Sequence, residues 1–217
     1  MSGFKTVSLA DQVFERLEND IITGVYARGE ILTELKLVEQ LGVSRTPIRE
    51  ALRRLEQERL IQDSGKGSVV LGITIEDLMD IMEIRQQIEG IAAYYATKNM
   101  TKENKEELQS ISQLQDFYFE KRDLEHLRQM DDQFHDFIYE ISGRMVLHDT
   151  LLPLHRKTQR YRRLSISDDE RLCASIREHR DISNAMCAGN AELAKELLTK
   201  HIQNAKEYMI ERYHYNG

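Results

Sequence analysis

Residues 41–56 read LGVSRTPIREALRRLE, and this stretch is the most informative about the architecture of the first part of the chain. Gly42 ends a short apolar helix pattern that follows Thr33, and Ser44 can cap the next helix. Pro47 is tolerated in the first turn of that helix, because amides there have no partner inside the helix. Two helices joined by a tight glycine turn are the pattern of a helix-turn-helix.

The outer face of the later helix is basic. Arg45, Arg49 and Arg53 are spaced four residues apart, Thr46 lies beside them, and residues 45–54 carry a net charge of +3. Arginine can donate two hydrogen bonds to guanine O6 and N7, and a threonine hydroxyl can bind a phosphate or a base. This composition predicts contacts with double-stranded DNA, although a solvated charged face has the same pattern.

The segments on either side of residues 41–56 complete a winged domain. Residues 9–22 repeat an apolar residue every four positions, which predicts a first helix. Residues 60–71 read LIQDSGKGSVVL, two short strand-like runs around a turn that contains Lys66 and Gly67. They predict a β-hairpin with a basic tip. A hairpin that follows a recognition helix is a wing.

Glycine content divides the chain near Gly72. Seven of the 11 glycines lie in residues 1–72, whereas residues 73–217 combine leucine and charged residues in helical spacing. We therefore predict a mostly α protein: a winged helix-turn-helix DNA-binding domain over 1–72 and an all-α six-helix bundle, for effector binding and dimerisation, over 73–217. The six helices are expected at 75–98, 101–120, 123–142, 144–164, 168–188 and 190–213.

The charge of the chain has to be counted by domain. A net charge of −7 for 217 residues argues at first against a polyanionic partner. Residues 1–72, however, carry 10 cationic and 11 anionic side chains, and residues 73–217 carry 20 and 26. Most of the acidity thus belongs to the second domain, and it does not exclude DNA binding by the first.

Cysteine content and hydropathy suggest a compartment. The two cysteines have no CxxC spacing, the N-terminal residues do not read as a signal peptide, and no apolar stretch approaches the roughly 20 residues of a membrane span. We expect a cytoplasmic protein without a membrane partner.

Three of the predicted helices turn histidines toward their apolar sides. Asp131 and His135 lie one turn apart beside the apolar stripe of helix 123–142, and His179 and His201 occupy stripe positions in the last two helices. Burial of such groups without partners costs about 1–3 kcal/mol each, whereas one divalent cation can bind all four. One carboxylate and three imidazoles suit Zn, Ni or Mn. The remaining histidines are assigned no ligand role: His126, His148, His155 and His214.

Two other interpretations of these polar residues stay open. The aspartate and histidines could form an internal hydrogen-bonded network, or bind an effector directly without metal. A metal-dependent bundle enzyme is the second alternative. Dinuclear bundle enzymes use paired Glu-x-x-His motifs, and the sequence contains only Glu211-x-x-His214. Since no nucleophile and base are paired either, we expect no enzymatic activity.

Residues 21–55 resemble the winged-helix domain of the GntR family of bacterial transcription regulators, most specifically in the run LGVSRTPIREALRRLE. Arg28 stands where proline is common and Val38 where alanine is usual, and neither lies on the predicted DNA surface. The resemblance implies a homodimer that reads a palindromic operator. The residues it implicates in contact with DNA are Ser44, Arg45, Thr46, Arg49, Lys66 and Gly67.

The second part of the chain resembles the effector-binding FCD domain of the FadR-type subfamily. The resemblance is carried by DxxFH at 131–135, EHR at 178–180, and His201 twenty-two positions after His179. It implies a divalent metal at the bottom of a helical cavity, with a small organic acid, a carboxylate effector, completing its coordination. The implied metal ligands are Asp131, His135, His179 and His201.

Two arginines of this domain bear on the effector. Arg85 matches a family position that often lines the pocket, although a surface ion pair is an equally simple interpretation of EIRxxIE at 83–89. Arg144 stands where the family commonly has asparagine, so no role is carried over to it.

Overall fold

The computed structural model describes residues 8–214, apart from the side chains of residues 160, 163–165 and 213–214. The chain divides into two compact units between Ile75 and Glu76. The fold class expected from the sequence, a winged helix-turn-helix followed by a helical domain, is confirmed. None of the described helices is long and apolar enough to cross a membrane.

Three helices and a small sheet form the N-terminal unit. The elements are α1 (Leu9–Ile22), β1 (Ile31–Leu32), α2 (Glu34–Leu41), α3 (Arg45–Gln57), β2 (Ile61–Asp63) and β3 (Ser68–Val70). The strand order is β1-β3-β2 with antiparallel pairing, and β1 was not among the expected strands. Apolar side chains from all three helices meet in one core, which fixes the outward face of α3.

Two of the expected helix caps are present in this unit. The Ser8 hydroxyl accepts a hydrogen bond from the Asp11 amide, and the Thr33 hydroxyl accepts one from the Lys36 amide. Each cap pairs an amide that has no acceptor inside its helix, typically contributing about 1 kcal/mol. Gly42 ends α2 in the left-handed conformation, as a turn between two helices requires.

Within the described residues, the C-terminal unit has seven helices. They are α4 (Ile75–Lys98), α5 (Lys102–Glu120), α6 (Leu124–Ile141), α7 (Met145–Lys157), α8 (Gln159–Ile166), α9 (Asp169–Cys187) and α10 (Ala191–His214). Buried side chains of α4, α5, α6, α9 and α10 share one apolar core. Gly90 permits close packing of α4 on α10, because a Cβ there would lie 2.7 Å from the Lys195 carbonyl oxygen.

The expected single helix over 144–164 is wrong, because it is two helices, α7 and α8, that meet at Thr158. The Thr158 hydroxyl donates to the His155 carbonyl at 2.7 Å, and the Thr158 amide bonds to the same carbonyl at 3.1 Å. The His155 carbonyl oxygen therefore accepts hydrogen bonds within a tighter turn, and the regular α-helix ends there. Arg85 donates to the same hydroxyl at 3.2 Å and anchors this turn against α4.

Candidate nucleic-acid interface and candidate metal centre

The predicted recognition residues lie on the exposed face of α3. Arg45, Thr46, Arg49 and Arg53 are exposed, while Ile48 and other apolar residues of α3 face the core. Their periodicity places them together over the first turns of the helix, where a recognition helix meets base edges.

Ser44 occupies the N-cap position of α3, as expected, but its side chain makes no cap hydrogen bond. The hydroxyl is at the exposed start of the helix. Hydroxyl and amide groups at a helix N-terminus are suited to a phosphate oxygen. Ser44 is therefore better explained as a surface polar group than as a cap.

Arg49 is held in place by the carboxylate of Glu34, a residue for which the sequence predicts no role at the DNA surface. Its Nε donates to Glu34 Oε1 at 2.7 Å, and this bond keeps the pKa of Glu34 below its ordinary value. The pair is largely exposed, so its contribution to stability is small. Its effect is to orient the guanidinium while leaving the terminal nitrogens of Arg49 for another acceptor.

The wing turn presents Lys66 to solvent at its tip. The turn is closed by the Ser64 hydroxyl, which donates to the Gly67 carbonyl at 2.7 Å, and by the Gly65 amide, which donates to Asp63 at 2.8 Å. Gly67 has φ +141°, and a Cβ there would lie 2.7 Å from the Leu32 carbonyl oxygen. This glycine is thus required for β1 to pack beside the wing.

Replacing Gly67 with alanine is expected to destabilise the chain more than replacing Gly65. Both glycines have positive φ, but an added Cβ at Gly65 would have no atom within 4 Å. The additional loss at Gly67 should be about 1–3 kcal/mol, the usual cost of forcing extra atoms into a packed site. Urea denaturation of Gly67→Ala and Gly65→Ala tests this, and equal losses would contradict the close approach to β1.

The structure brings three of the predicted ligands together. His135 on α6, His179 on α9 and His201 on α10 are buried, and their ring nitrogens lie within 4.8 Å of one another. Nε2 of His179 is 3.3 Å from Nε2 of His201. The Phe134 ring stacks on His179 at 4.1 Å between centroids and fixes the orientation of that imidazole.

Asp131 lies beside this group rather than within it. Its Oδ1 is 3.8 Å from Nε2 of His179, and its Oδ2 accepts a hydrogen bond from Arg162. A second set of close donor atoms consists of Asp131, His135 and His155. The expectation that His155 has no part in the site is therefore at odds with its position, since its ring centroid is 4.7 Å from that of His135.

Each clustered imidazole has its Nδ1 occupied by a side chain of another residue. Three donate to carboxylates: His135 to Glu89 at 3.1 Å, His201 to Glu178 at 2.7 Å and His155 to Asp136 at 3.3 Å. Nδ1 of His179 is 3.0 Å from the Gln115 amide nitrogen and 3.3 Å from its amide oxygen, and an Nδ1–H can donate to the oxygen. A carboxylate only accepts, so a neutral imidazole paired with it keeps its lone pair on Nε2. Ligating histidines are commonly oriented by such partners.

Burial sets the protonation of these groups. It lowers the pKa of His179, His155 and His201 below the ordinary value, with neighbouring positive charge or imidazoles adding to the effect. Burial alone raises the pKa of Asp131, but Arg162 and the nearby histidines outweigh it and hold this pKa well below its usual range. Neutral imidazoles beside an ionised carboxylate are the forms that bind a cation.

The stability of the metal-free chain should fall as the pH drops below 6.5, the ordinary histidine pKa. The unfolded chain takes up protons there that buried His155, His179 and His201 do not, so their contribution is present above pH 6.5 and declines below it. The slope is at most about 1.4 kcal/mol per pH unit for each histidine. Denaturant unfolding in chelator from about pH 7.5 to about pH 5.5 measures it. His179→Gln should reduce the slope, and an unchanged slope would contradict this account.

Arg85 belongs to a buried chain of polar contacts, which rules out the surface ion pair considered above. It is 2% exposed, and its Nε donates to Glu89 Oε1 at 2.5 Å. The other Glu89 oxygen accepts from His135. Removing one member of a buried pair typically costs about 3–5 kcal/mol. Arg85 thus positions His135 through Glu89.

The clustered histidines open onto a cavity of about 50 Å³. Three arginines line it: Arg85, Arg162 and Arg171. Arg171 forms two hydrogen bonds with Glu178, at 3.1 and 3.0 Å, and Arg162 bonds to Asp131 and Asp132. Guanidinium groups in such a wall can bind a carboxylate with two parallel hydrogen bonds. Arg144 is elsewhere, with its guanidinium 3.9 Å above the Tyr95 ring.

The donor set fits a divalent cation. Nε2 lone pairs and an ionised carboxylate are the mixture of nitrogen and oxygen donors that Zn, Ni and Mn accept. Within the described residues, Nε2 of His155, whose ring centroid is 4.7 Å from that of His135, is buried without a hydrogen-bond partner, so the cluster has a neighbouring donor that no internal contact uses.

Two family models match the chain, one for each unit. Residues 9–70 match the gntR family of bacterial regulatory proteins, and residues 80–204 match the FCD domain. The chain belongs to the GntR family. It is of the FadR type and is a DNA-binding transcription regulator, not an enzyme.

Relatives of this GntR regulator align over most of its length. The HTH-type transcriptional repressor RspR of Escherichia coli K12 is 29% identical over 206 residues, which are 93% of this chain and 89% of the relative. The regulator YdhC of Bacillus subtilis is 28% identical over 204 residues, with 91% and 89% covered. The solved structure of E. coli McbR/YncC has a TM-score of 0.81 at 26% identity and covers 96% and 100% of the two chains.

Proposed function

We propose that this regulator is a homodimer whose affinity for a palindromic operator is controlled by a small carboxylate effector bound beside a divalent cation. The observation that carries the proposal is the convergence of His135, His179 and His201 on one cavity wall beside arginines. Helix-turn-helix dimers bind two half-sites related by the symmetry of the protein, which is why the operator is expected to be palindromic.

In this proposal the exposed face of α3 reads bases and the wing contacts the backbone. Arg45, Thr46 and Arg49 enter the major groove, with Arg53 further along the same face. Ser44 and Lys66 bind phosphates, which positions the helix without specifying sequence. Gly67 keeps the wing in place through its approach to β1.

The cation is assigned to Asp131, His135, His179 and His201, and Zn, Ni or Mn suits these donors. When bound, it supplies a Lewis-acidic centre for a carboxylate oxygen. Glu89, Gln115 and Glu178 hold the imidazoles with Nε2 toward the cavity. Arg162 uses one oxygen of Asp131, and the other remains on the side of His179.

The small carboxylate is assigned to the arginine-lined side of the cavity. Arg162 and Arg171 are assigned as the guanidinium groups that bind the carboxylate, and Arg85 lines the same cavity from α4. Each of these arginines already pairs with a carboxylate of the protein. A bound effector carboxylate would therefore replace an anionic partner of the arginine, and would not neutralise an unpaired positive charge. The cavity volume of about 50 Å³ favours a ligand small enough to fit without displacing α8 or α9.

A metal-free pocket is the competing version, and a thermal-shift screen separates the two. Small carboxylates are added to the purified chain with and without chelator, and bound metal is measured by elemental analysis. We expect close to stoichiometric metal and a carboxylate-dependent rise in melting temperature that chelator removes. A carboxylate effect that persists in metal-free protein would contradict the cation part of the proposal.

A further inference from the structure

His155 is a buried histidine that the four-residue metal set leaves unused. It is 1% exposed and lies at the end of α7, where Leu151 precedes it by one turn. Its Nδ1 is 3.3 Å from Asp136 Oδ1, so the ring is oriented with Nε2 away from that carboxylate. In the part of the chain that the structure describes, this Nε2 is buried and has no hydrogen-bond partner.

The unpaired nitrogen faces other donors. Its closest measured carboxylate oxygen is Asp132 Oδ1, at 4.0 Å, too long for a hydrogen bond. Donor atoms of His155, Asp131 and His135 lie within 4.8 Å of one another. A buried polar atom left unpaired costs about 1–3 kcal/mol. A cation at this point would satisfy it, and the neighbouring carboxylates supply the compensating charge.

We propose that the histidine cluster offers one divalent cation two alternative sets of ligands that share Asp131 and His135. One set is the proposed Asp131, His135, His179 and His201, and the other is Asp131, His135 and His155. Nδ1 of His135 donates to Glu89, so only its Nε2 is available to a cation. One lone pair binds one ion, and the two sets therefore exclude each other. The inference rests on the cation site of the proposed function and adds a position to it.

Arg162 competes with a cation for Asp131 in either set. Arg162 bonds to both Asp131 and Asp132. Asp132 lies beside His155, with its Oδ1 4.0 Å from His155 Nε2. The two sets therefore share the competition with Arg162 and differ in whether His155 or the pair His179 and His201 binds the cation.

Cobalt titration of the full chain tests the second set after the first has been disabled. In the double variant His179→Gln, His201→Gln, Asp131, His135 and His155 remain, and we expect one Co²⁺ per chain by elemental analysis. Adding His155→Gln should lower Co²⁺ affinity more than about 100-fold, beyond the range for loss of an outer partner. The matched control, His148→Gln in the same double variant, removes a partly exposed histidine and should leave affinity unchanged.

A second measurement needs no further substitution. Bound Co²⁺ shifts the NMR signals of the ring N–H protons of its histidine ligands, and the double variant should show two such exchangeable signals, from His135 and His155. One signal, or equal Co²⁺ affinity with and without His155, would overturn the second set. Failure of the unaltered chain to bind Co²⁺ would overturn the cation site itself, a separate result that leaves operator binding standing.

Discussion

Arg45→Ala is expected to weaken operator binding about 10- to 100-fold, the range for losing a two-bonded arginine–guanine contact. Arg45 is exposed at the first turn of α3, where side chains of a recognition helix reach base edges. Arg49, by contrast, is already oriented by Glu34. The loss at Arg45 should be greatest for the preferred operator and small for unrelated duplexes.

Fluorescence anisotropy with a duplex selected by the protein from random sequences measures this loss. Lys102→Ala removes the same charge from an exposed site in the C-terminal unit and is the matched control. Lys66→Ala should weaken all duplexes alike and reduce the salt dependence of binding by about one phosphate contact. Equal effects of Arg45→Ala and Lys102→Ala would remove α3 from the DNA interface.

His135→Ala is expected to produce the largest loss of metal affinity, more than about 100-fold, since a direct ligand should exceed the 10–100-fold effect of an outer partner. His135 belongs to both sets of clustered donors, and Glu89 orients its ring. Without it, the proposed site keeps only Asp131, His179 and His201, and the second set keeps only Asp131 and His155. Glu89→Gln should have a smaller effect, because it changes the orientation of the imidazole without removing a donor.

Competition with a zinc-binding dye gives the affinities, and His148→Ala serves as control because that ring is partly exposed and paired with Asp149. Far-UV circular dichroism of each metal-free variant separates loss of a ligand from loss of the fold. Unchanged zinc affinity in a folded His135→Ala chain would contradict the histidine site.

The N-terminal unit could be predicted almost completely because its signals are local. Gly42, Pro47 and the caps of α1 and α2 each act within a few residues, and the arginine spacing needs only the period of a helix. β1 was not expected, since two residues carry no strand pattern. Its pairing with β3 depends on the close approach at Gly67.

The helical periodicity also identified His135, His179 and His201 as inward residues, but it missed His155. Leu147, Leu151 and His155 are spaced four apart, so the same periodicity places His155 on the apolar side of α7. The division of that helix depends on a contact from Arg85, seventy-three residues away.

Hydrogen bonds between side chains on different helices could not be predicted from the local sequence. Arg162 lies in a charged run that resembles a solvated face, yet it bonds to Asp131 and Asp132 on α6. Glu89 bonds to His135 and Glu178 bonds to His201, each on another helix. Burial raises the pKa of Glu178, but His201 and Arg171 outweigh it and leave this pKa at about 2. Such pairings follow from tertiary packing and require the structure.

We propose that a small carboxylate bound in the C-terminal unit controls operator affinity. The most direct test is to measure operator affinity with and without a stabilising carboxylate, and the affinity for that carboxylate with and without operator. Since coupling is reciprocal, we expect both affinities to change by the same factor, about 5- to 150-fold. An operator affinity that is identical with and without saturating carboxylate would contradict it.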